Sequence, residues 1–347
     1  MLFPYKGKGE LVTYCEAYSR ALNGFIVSRE QNYQLELRSG ICCVEDSDAS
    51  DINSLLDRAN MALKTIKVKG AAQWKFYDHT MRDKLLREKD LEIRMEKALA
   101  DGEFLVYIQP KYWVGTRALA GGEALVRWKS PDQGFLSPGE FIPLFEKNRF
   151  IVKLDQFMFT SVCGLLRQWL DAGIEPRPLS VNVSRMQFHT PDFVERYIRI
   201  KSQYAIPDGL LELEFTESIF FDNVALLSSA VHELRRAGIK CSIDDFGAGY
   251  SSLNVLKALP VSVLKLDGMF FRTAKDDEQA KIVIRNIMRM AGELKMATVA
   301  EGVETHEQVA FLETTGCDII QGYVFARPMP AAEFTELLAG EGGHAER

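Results

Sequence analysis

From residue 104 onward, short apolar runs recur eight times, with helical patterns between most of them. The runs are FLVYIQP (104–110), LAGGEALVRW (119–128), LSVNVS (179–184), LLELEFTE (210–217), IKCSIDDFG (239–247), VSVLKLDG (261–268), ATVAEGVE (297–304) and DIIQGYVF (318–325). Helical spacing marks 150–173, 224–238, 278–295 and 306–316, and Gly173, Gly238 and Gly316 stand where helices end. Strands alternating with helices predict parallel βαβ units. Eight such units over roughly 240 residues predict an α/β chain built on a (β/α)8 barrel of the TIM type.

The ends of these runs carry the chemistry. Gln109, Glu123, Asn182, Glu214, Asp244 with Asp245, Lys265, Glu301 and Gln321 each lie at or near one. In such a barrel the C-terminal strand ends share one mouth, where active sites sit. A single carboxylate there is commonly the N-cap of the next helix, but capping does not explain so many polar ends together. Glu123, Glu214, Asp244, Asp245 and Glu301 would crowd five carboxylates against Lys265 and Arg127 alone. Crowded carboxylates raise one another's pKa unless a cation neutralises them. An all-oxygen ligand set without Cys or His selects Mg²⁺ or Mn²⁺ over zinc. Two such ions about 3.5–4 Å apart are a recurring device for in-line phosphodiester hydrolysis, with one aspartate of the Asp244-Asp245 pair able to bridge them. Lys265 would then orient the attacking water or balance phosphate charge.

Composition narrows the partners. The 347 residues are 47% hydrophobic and 26% charged with a net charge of −6, which excludes a disordered chain. The acidic balance argues against a sequence-independent DNA or RNA binder, so attraction for phosphate must be local, through metal ions and the fork of Arg127. No apolar run approaches the roughly 18 residues of a membrane helix, and MLFPYKGKGE does not read as a signal peptide. The six cysteines are scattered without a CxxC, as in free thiols of a reducing cytoplasm. The segment DDFGAGYSSL (244–253) reads either as a plain βα turn or as a mobile loop touching the metal site.

These residues carry a family resemblance. EALVRW (123–128), YIQPK (107–111), FIPLFE (141–146), SVNVS (180–184), LEFTES (213–218), DDFGAGYSSL (244–253), KLD (265–267), AEGVE (300–304) and QGYVFARP (321–328) stand in the order found in EAL-domain cyclic di-GMP phosphodiesterases. The resemblance implies a modified TIM barrel with a bimetal site. Glu123, Asn182, Glu214 and Asp244 would hold one ion, and Asp244, Asp245 and Glu301 the other. Lys265 would position the water, with Glu123 and Glu301 also in the catalytic set. Gln109, Leu125, Arg127, Glu304 and Gln321 would line the substrate groove, and Glu217 would anchor the loop. The family opens the cyclic dinucleotide to pGpG with Mg²⁺ or Mn²⁺, is inhibited by Ca²⁺, and works as a homodimer. Three departures stand out: Ala248 where Thr is usual, Phe145 where Ala is common, and Gly268-Met269 where Arg-Ser is frequent.

Ahead of the barrel, LELRSGICC (35–43), LLDRANMALKTIKVKG (55–70) and FYD (76–78) resemble the C-terminal half of a GGDEF domain without its catalytic motif. The expected organisation is a truncated or degenerate GGDEF-like part over 1–80, a connector helix over 81–102, the barrel over 103–340 and a flexible tail over 341–347. The rival reading is an inactive cyclic di-GMP receptor that signals through the N-terminal remnant. Relatives of that kind lose a metal ligand or the lysine, and none is lost here.

Overall fold

The computed structural model describes residues 4–27, 38–44, 51–66, 74–217, 219, 224–247, 260–273 and 277–342. The chain divides into two compact units, Met1–Ile93 and Arg94–Arg347. The first contains helix α1 (Lys8–Val27), strand β1 (Ser39–Ile41), helix α2 (Ile52–Lys64) and strand β2 (Trp74–Phe76); helix α3 (His79–Ala100) begins in it and ends in the second unit. β1 and β2 pair in parallel, Ser39 opposite Trp74, with α2 as the connection between them. Gly40 lets that helix lie against β1, since a Cβ there would stand 1.9 Å from the carbonyl oxygen of Ala59. The expected apolar face of α2 is only partly used. Leu55, Ala59, Ala62 and Leu63 turn inward, while Ile52 and Leu56 are about half exposed. The expected strand over 33–45 is limited to Ser39–Ile41 within the described residues.

The second unit contains β3 (Phe104–Trp113), β4 (Leu119–Ser130), β5 (Gly134–Leu136), α4 (Pro138–Lys147), α5 (Ile151–Asp171), β6 (Leu179–Asn182), a 3₁₀ turn (Arg185–His189), α6 (Phe193–Gln203), β7 (Leu211–Thr216), α7 (Val224–Arg236), β8 (Lys240–Phe246), β9 (Val263–Leu266), α8 (Met269–Thr273), α9 (Glu278–Glu293), β10 (Ala297–Ala300), α10 (His306–Glu313), β11 (Ile319–Ile320), β12 (Met329–Pro330) and α11 (Ala331–Gly342). Each of the eight apolar runs contains one barrel strand. The closed order is β3-β11-β10-β9-β8-β7-β6-β4 and back to β3. Gly173, Gly238 and Gly316 take positive φ of 72°, 73° and 78° just past their helices. Among the described residues, no helix is long and apolar enough to cross a membrane.

The barrel differs from an all-parallel one at one strand. β3 runs antiparallel to both β4 and β11, while the other barrel pairings are parallel. The cause is the connection. Residues 114–118 join β3 to β4 without a helix, and a parallel return needs a crossover of a dozen residues or more. This corrects the placement of two polar residues. Gln109 and Glu123 are not at strand ends but in mid-strand, directly opposite each other in the hairpin.

Alternation along the strands separates core from site. On β7, Leu211, Leu213 and Phe215 are fully buried in the hydrophobic core, and Glu212 and Glu214 point the other way, into the barrel. Trp128 and Trp169 are both core residues. Trp128 donates from Nε1 to Glu103 Oε2 at 2.7 Å and sits in an aromatic cluster. Phe145 joins it, with ring centroids 5.8 Å from Trp128, 5.4 Å from Phe141 and 4.8 Å from Phe150. The departure at 145 is therefore a filled core position. Phe145→Ala should cost about 3–5 kcal/mol in urea unfolding of the barrel; a loss below about 1 kcal/mol would mean that the neighbours close the gap.

Candidate metal centre

Lys265 on β9 has no exposed surface, and carboxylates surround its ammonium. Nζ lies 2.7 Å from Glu301 Oε1, 3.1 Å from Asp244 Oδ1 and 3.6 Å from Glu123 Oε2, and it donates to Glu214 Oε2. A second buried lysine completes the inner layer. Lys111 Nζ donates to Glu214 Oε1 at 2.9 Å and to Ser180 Oγ at 2.7 Å. Towards the mouth, Glu123 Oε1 accepts from Asn182 Nδ2 at 2.6 Å, and Glu123 Oε2 accepts from Gln321 Nε2 at 2.6 Å. Gln321 Nε2 also reaches Gln109 Oε1 at 3.2 Å.

Adjacent strand residues point to opposite faces, so Asp244 and Asp245 should not both reach the mouth. A bulge lets them. The step from Ile243 to Phe246 on β8 stands opposite the shorter step from Leu264 to Leu266 on β9. Asp245 takes a left-handed φ of 54°, and its N–H donates to Asp244 Oδ1 at 2.8 Å. Glu123, Glu214 and Asp244 can thereby bring one oxygen each within 4.8 Å of one another, and so can Asp244, Asp245 and Glu301. Asp244 is common to both groups.

Electrostatics shows what such a cluster lacks. Burial, reinforced by Glu214, raises the Glu123 carboxyl. Burial raises Glu301 far above the usual carboxylate range despite Lys265. Burial and then Asp244 push Asp245 up to about 6. Burial acts against Glu214 too, but Lys111 and Lys265 hold it down to about 2. Five carboxylates thus face two ammonium groups, and three of the five keep protons more tightly than usual. Divalent cations would replace those protons, and the donors are the hard oxygens that Mg²⁺ and Mn²⁺ take. The residues fit a pair of such ions.

A groove crosses the mouth on either side of Leu125. One cavity of about 280 Å³ is lined by Gln109, Glu123, Leu125, Glu301, Glu304 and Tyr323, among others. Another of about 770 Å³ is lined by Leu125, Arg127, Asn182, Glu217, Asp245 and Asp155, among others. Glu304 stands on the exposed rim, and Arg127 is half-buried over the Tyr107 ring at 5.5 Å. Glu217 Oε2 accepts from the N–H of Gly247 at 3.1 Å, at the start of the loop. Gly247 has a φ of 93°, and a Cβ there would stand 2.2 Å from the Phe270 ring. The rest of that loop, with Ala248, lies outside the described residues.

The structure therefore gathers Glu123, Asn182, Glu214, Asp244, Asp245, Lys265, Glu301, Gln109 and Gln321 at one centre, with Leu125, Arg127, Glu217 and Glu304 along the groove. Sequence reading missed Lys111, Ser180 and Asp155. Lys111 had a signal: it stands two residues after Gln109 on a strand, hence on the same face.

The sequence profile of the EAL domain family matches residues 93–328, and the chain belongs to that family. Two curated relatives come from Pseudomonas aeruginosa. Cyclic di-GMP phosphodiesterase NbdA is 34% identical over 292 residues, 84% of this chain and 37% of the relative. Cyclic di-GMP phosphodiesterase PA2567 is 31% identical over 340 residues, 97% of this chain and 57% of the relative. The chain thus spans only part of the length of these relatives. A solved structure described as the PaMucR phosphodiesterase in complex with c-di-GMP matches with a TM-score of 0.67 at 35% identity, over 71% of this chain and 99% of that one.

Asp155 on α5 gives this wall of the groove a pH dependence. It is buried and accepts from Ser184 N at 3.0 Å and Gln187 Nε2 at 3.2 Å. Burial pushes its carboxyl from 3.8 up to about 7, against those two hydrogen bonds. The folded state holds this proton more tightly than the unfolded chain, so the group's contribution to stability is complete at acid pH and is lost as pH rises through about 7. Asp155→Asn, neutral throughout, should therefore lose less unfolding free energy than the parent between about pH 5 and pH 8. Parallel pH profiles in urea titrations would exclude the assignment.

Proposed function

We propose that the barrel hydrolyses cyclic di-GMP to linear pGpG with two divalent ions, Mg²⁺ or Mn²⁺. The observation that carries this reading is the pair of oxygen-only carboxylate groups sharing Asp244 at the floor of the groove. Membership of the EAL family and the phosphodiesterase relatives give the substrate class. Glu123, Asn182, Glu214 and Asp244 would hold one ion, and Asp244, Asp245 and Glu301 the second. Such ions lower the pKa of a bound water and offset charge on the phosphate.

The chain's own residues then set the geometry. Lys265 orients the water through its charged ammonium. The water's oxygen adds to phosphorus as the bond to the 3′ oxygen breaks; one of its protons ends on the departing 3′ oxygen, which leaves as a hydroxyl, and the other stays with the new 5′-phosphate. Gln109 and Gln321 offer amides on one side of Leu125, and Arg127 offers its fork to phosphate on the other. Glu217 holds the start of the loop through Gly247. Residues 1–80 are read as the C-terminal part of a degenerate or truncated GGDEF domain, consistent with the parallel β1–α2–β2 unit, and the protein as a cytoplasmic homodimer. The inactive-receptor reading has no missing ligand to favour it.

Incubation of the purified protein with cyclic di-GMP and Mg²⁺ or Mn²⁺, followed by anion-exchange chromatography, should give a pGpG peak that Ca²⁺ suppresses. Glu123→Ala should abolish the peak and weaken metal binding while the thermal unfolding transition remains cooperative. Undiminished Mg²⁺-dependent turnover in that variant would sink the metal assignment.

A further inference from the structure

Glu214 differs from the other carboxylates of the cluster. Its side chain is wholly buried, and each of its oxygens meets its own ammonium group. The two lysines are not equivalent. Lys265 is shared with Glu123, Asp244 and Glu301, whereas Lys111 bonds Glu214 and the hydroxyl of Ser180. Ser180 stands two residues before Asn182 on β6, opposite Glu212, which stands two before Glu214 on β7, so Lys111 is tied to the layer beneath the mouth. The terminal torsion of a glutamate is broad and roughly two-fold. A buried carboxylate with one bound oxygen and one unbound could therefore turn. A donor at 2.9 Å on Oε1 removes that freedom.

We propose that Lys111 is a positioning residue for the metal centre: it pins Oε1 of Glu214 from beneath, so that Oε2 is the oxygen presented at the mouth. This rests on the two-metal reading above. The antiparallel course of β3 makes the arrangement possible, because the strand that contributes Gln109 at the groove reaches below it two residues later with Lys111. The role is that of an outer partner that orients a ligand, and removal of such partners typically costs 10- to 100-fold in metal affinity.

Calorimetric titration of the full chain with Mn²⁺ tests this, beside thermal unfolding without metal. Lys111→Met should weaken Mn²⁺ binding roughly 10- to 100-fold. Lys111→Gln, which keeps a donor for Oε1 without the charge, should recover most of the loss. Ser180→Ala, which removes the second anchor of the ammonium, should weaken binding by a smaller factor. Binding by Lys111→Met at the parent's affinity overturns the inference, and so does Lys111→Gln binding as weakly as Lys111→Met. If Lys111→Met has no cooperative unfolding transition, Lys111→Gln and Ser180→Ala decide: parent affinity in Ser180→Ala together with a large loss in Lys111→Gln overturns it, and near-parent affinity in Lys111→Gln with a modest loss in Ser180→Ala supports it. A parent chain that does not bind Mn²⁺ removes the two-metal reading itself, and the inference falls with it.

Discussion

The buried ammonium of Lys265 sits where four carboxylates converge. An isolated charge in such a place would be discharged by burial; here the surrounding carboxylates outweigh burial and keep it protonated. The dependence is mutual. Without a cation at that point, Glu123, Glu214, Asp244 and Glu301 would face one another with Lys111, bonded to Glu214, as the one ion pair left to them among the described residues. Breaking a buried charge set by removing one partner is far more damaging than its net contribution suggests. The barrel interior is therefore organised around this one group, and the strands bring their acidic residues to it at a common level.

Closure of the barrel serves the same end. A hairpin of β3 and β4 replaces the first crossover, and it places Gln109 and Glu123 face to face in mid-strand. Glu123 is paired on both sides, with Gln109 of β3 and with Ser180 of β6, rather than carried on a loop. The groove floor is thus part of the sheet, and Gln321, at the end of β11, closes the contact from the other neighbour of β3. The bulge in β8 makes the complementary adjustment on the far side, turning two consecutive aspartates to one mouth.

Much of this was legible in the sequence, for a physical reason. A polar residue inside a short apolar run must find a partner in the interior, so Glu123, Asn182, Glu214, Lys265 and Glu301 announced a shared site. The eight runs gave the strands, and glycines marked three helix ends. What escaped was direction and context. The short link at 114–118 implied an antiparallel turn, yet the regular pattern around it suggested a parallel unit. The pair Asp244-Asp245 violates alternation unless the strand bulges, and a left-handed aspartate has no unambiguous mark in a sequence. Lys111 lay in a motif read for its glutamine, and Asp155 sat on an apolar helix as one more charge. The stripe of α2 pointed to a wider buried face than the half-exposed Ile52 and Leu56 allow.

Asp244 belongs to both carboxylate groups, and this makes the centre asymmetric in how it can decay over evolution. Loss of Glu123 or Glu301 alone strips one group and leaves the other whole. A single change at Asp244 would reduce both at once while leaving the hairpin, Arg127 and the two glutamines of the groove intact. At that one codon a single substitution would take an oxygen ligand from both carboxylate groups together.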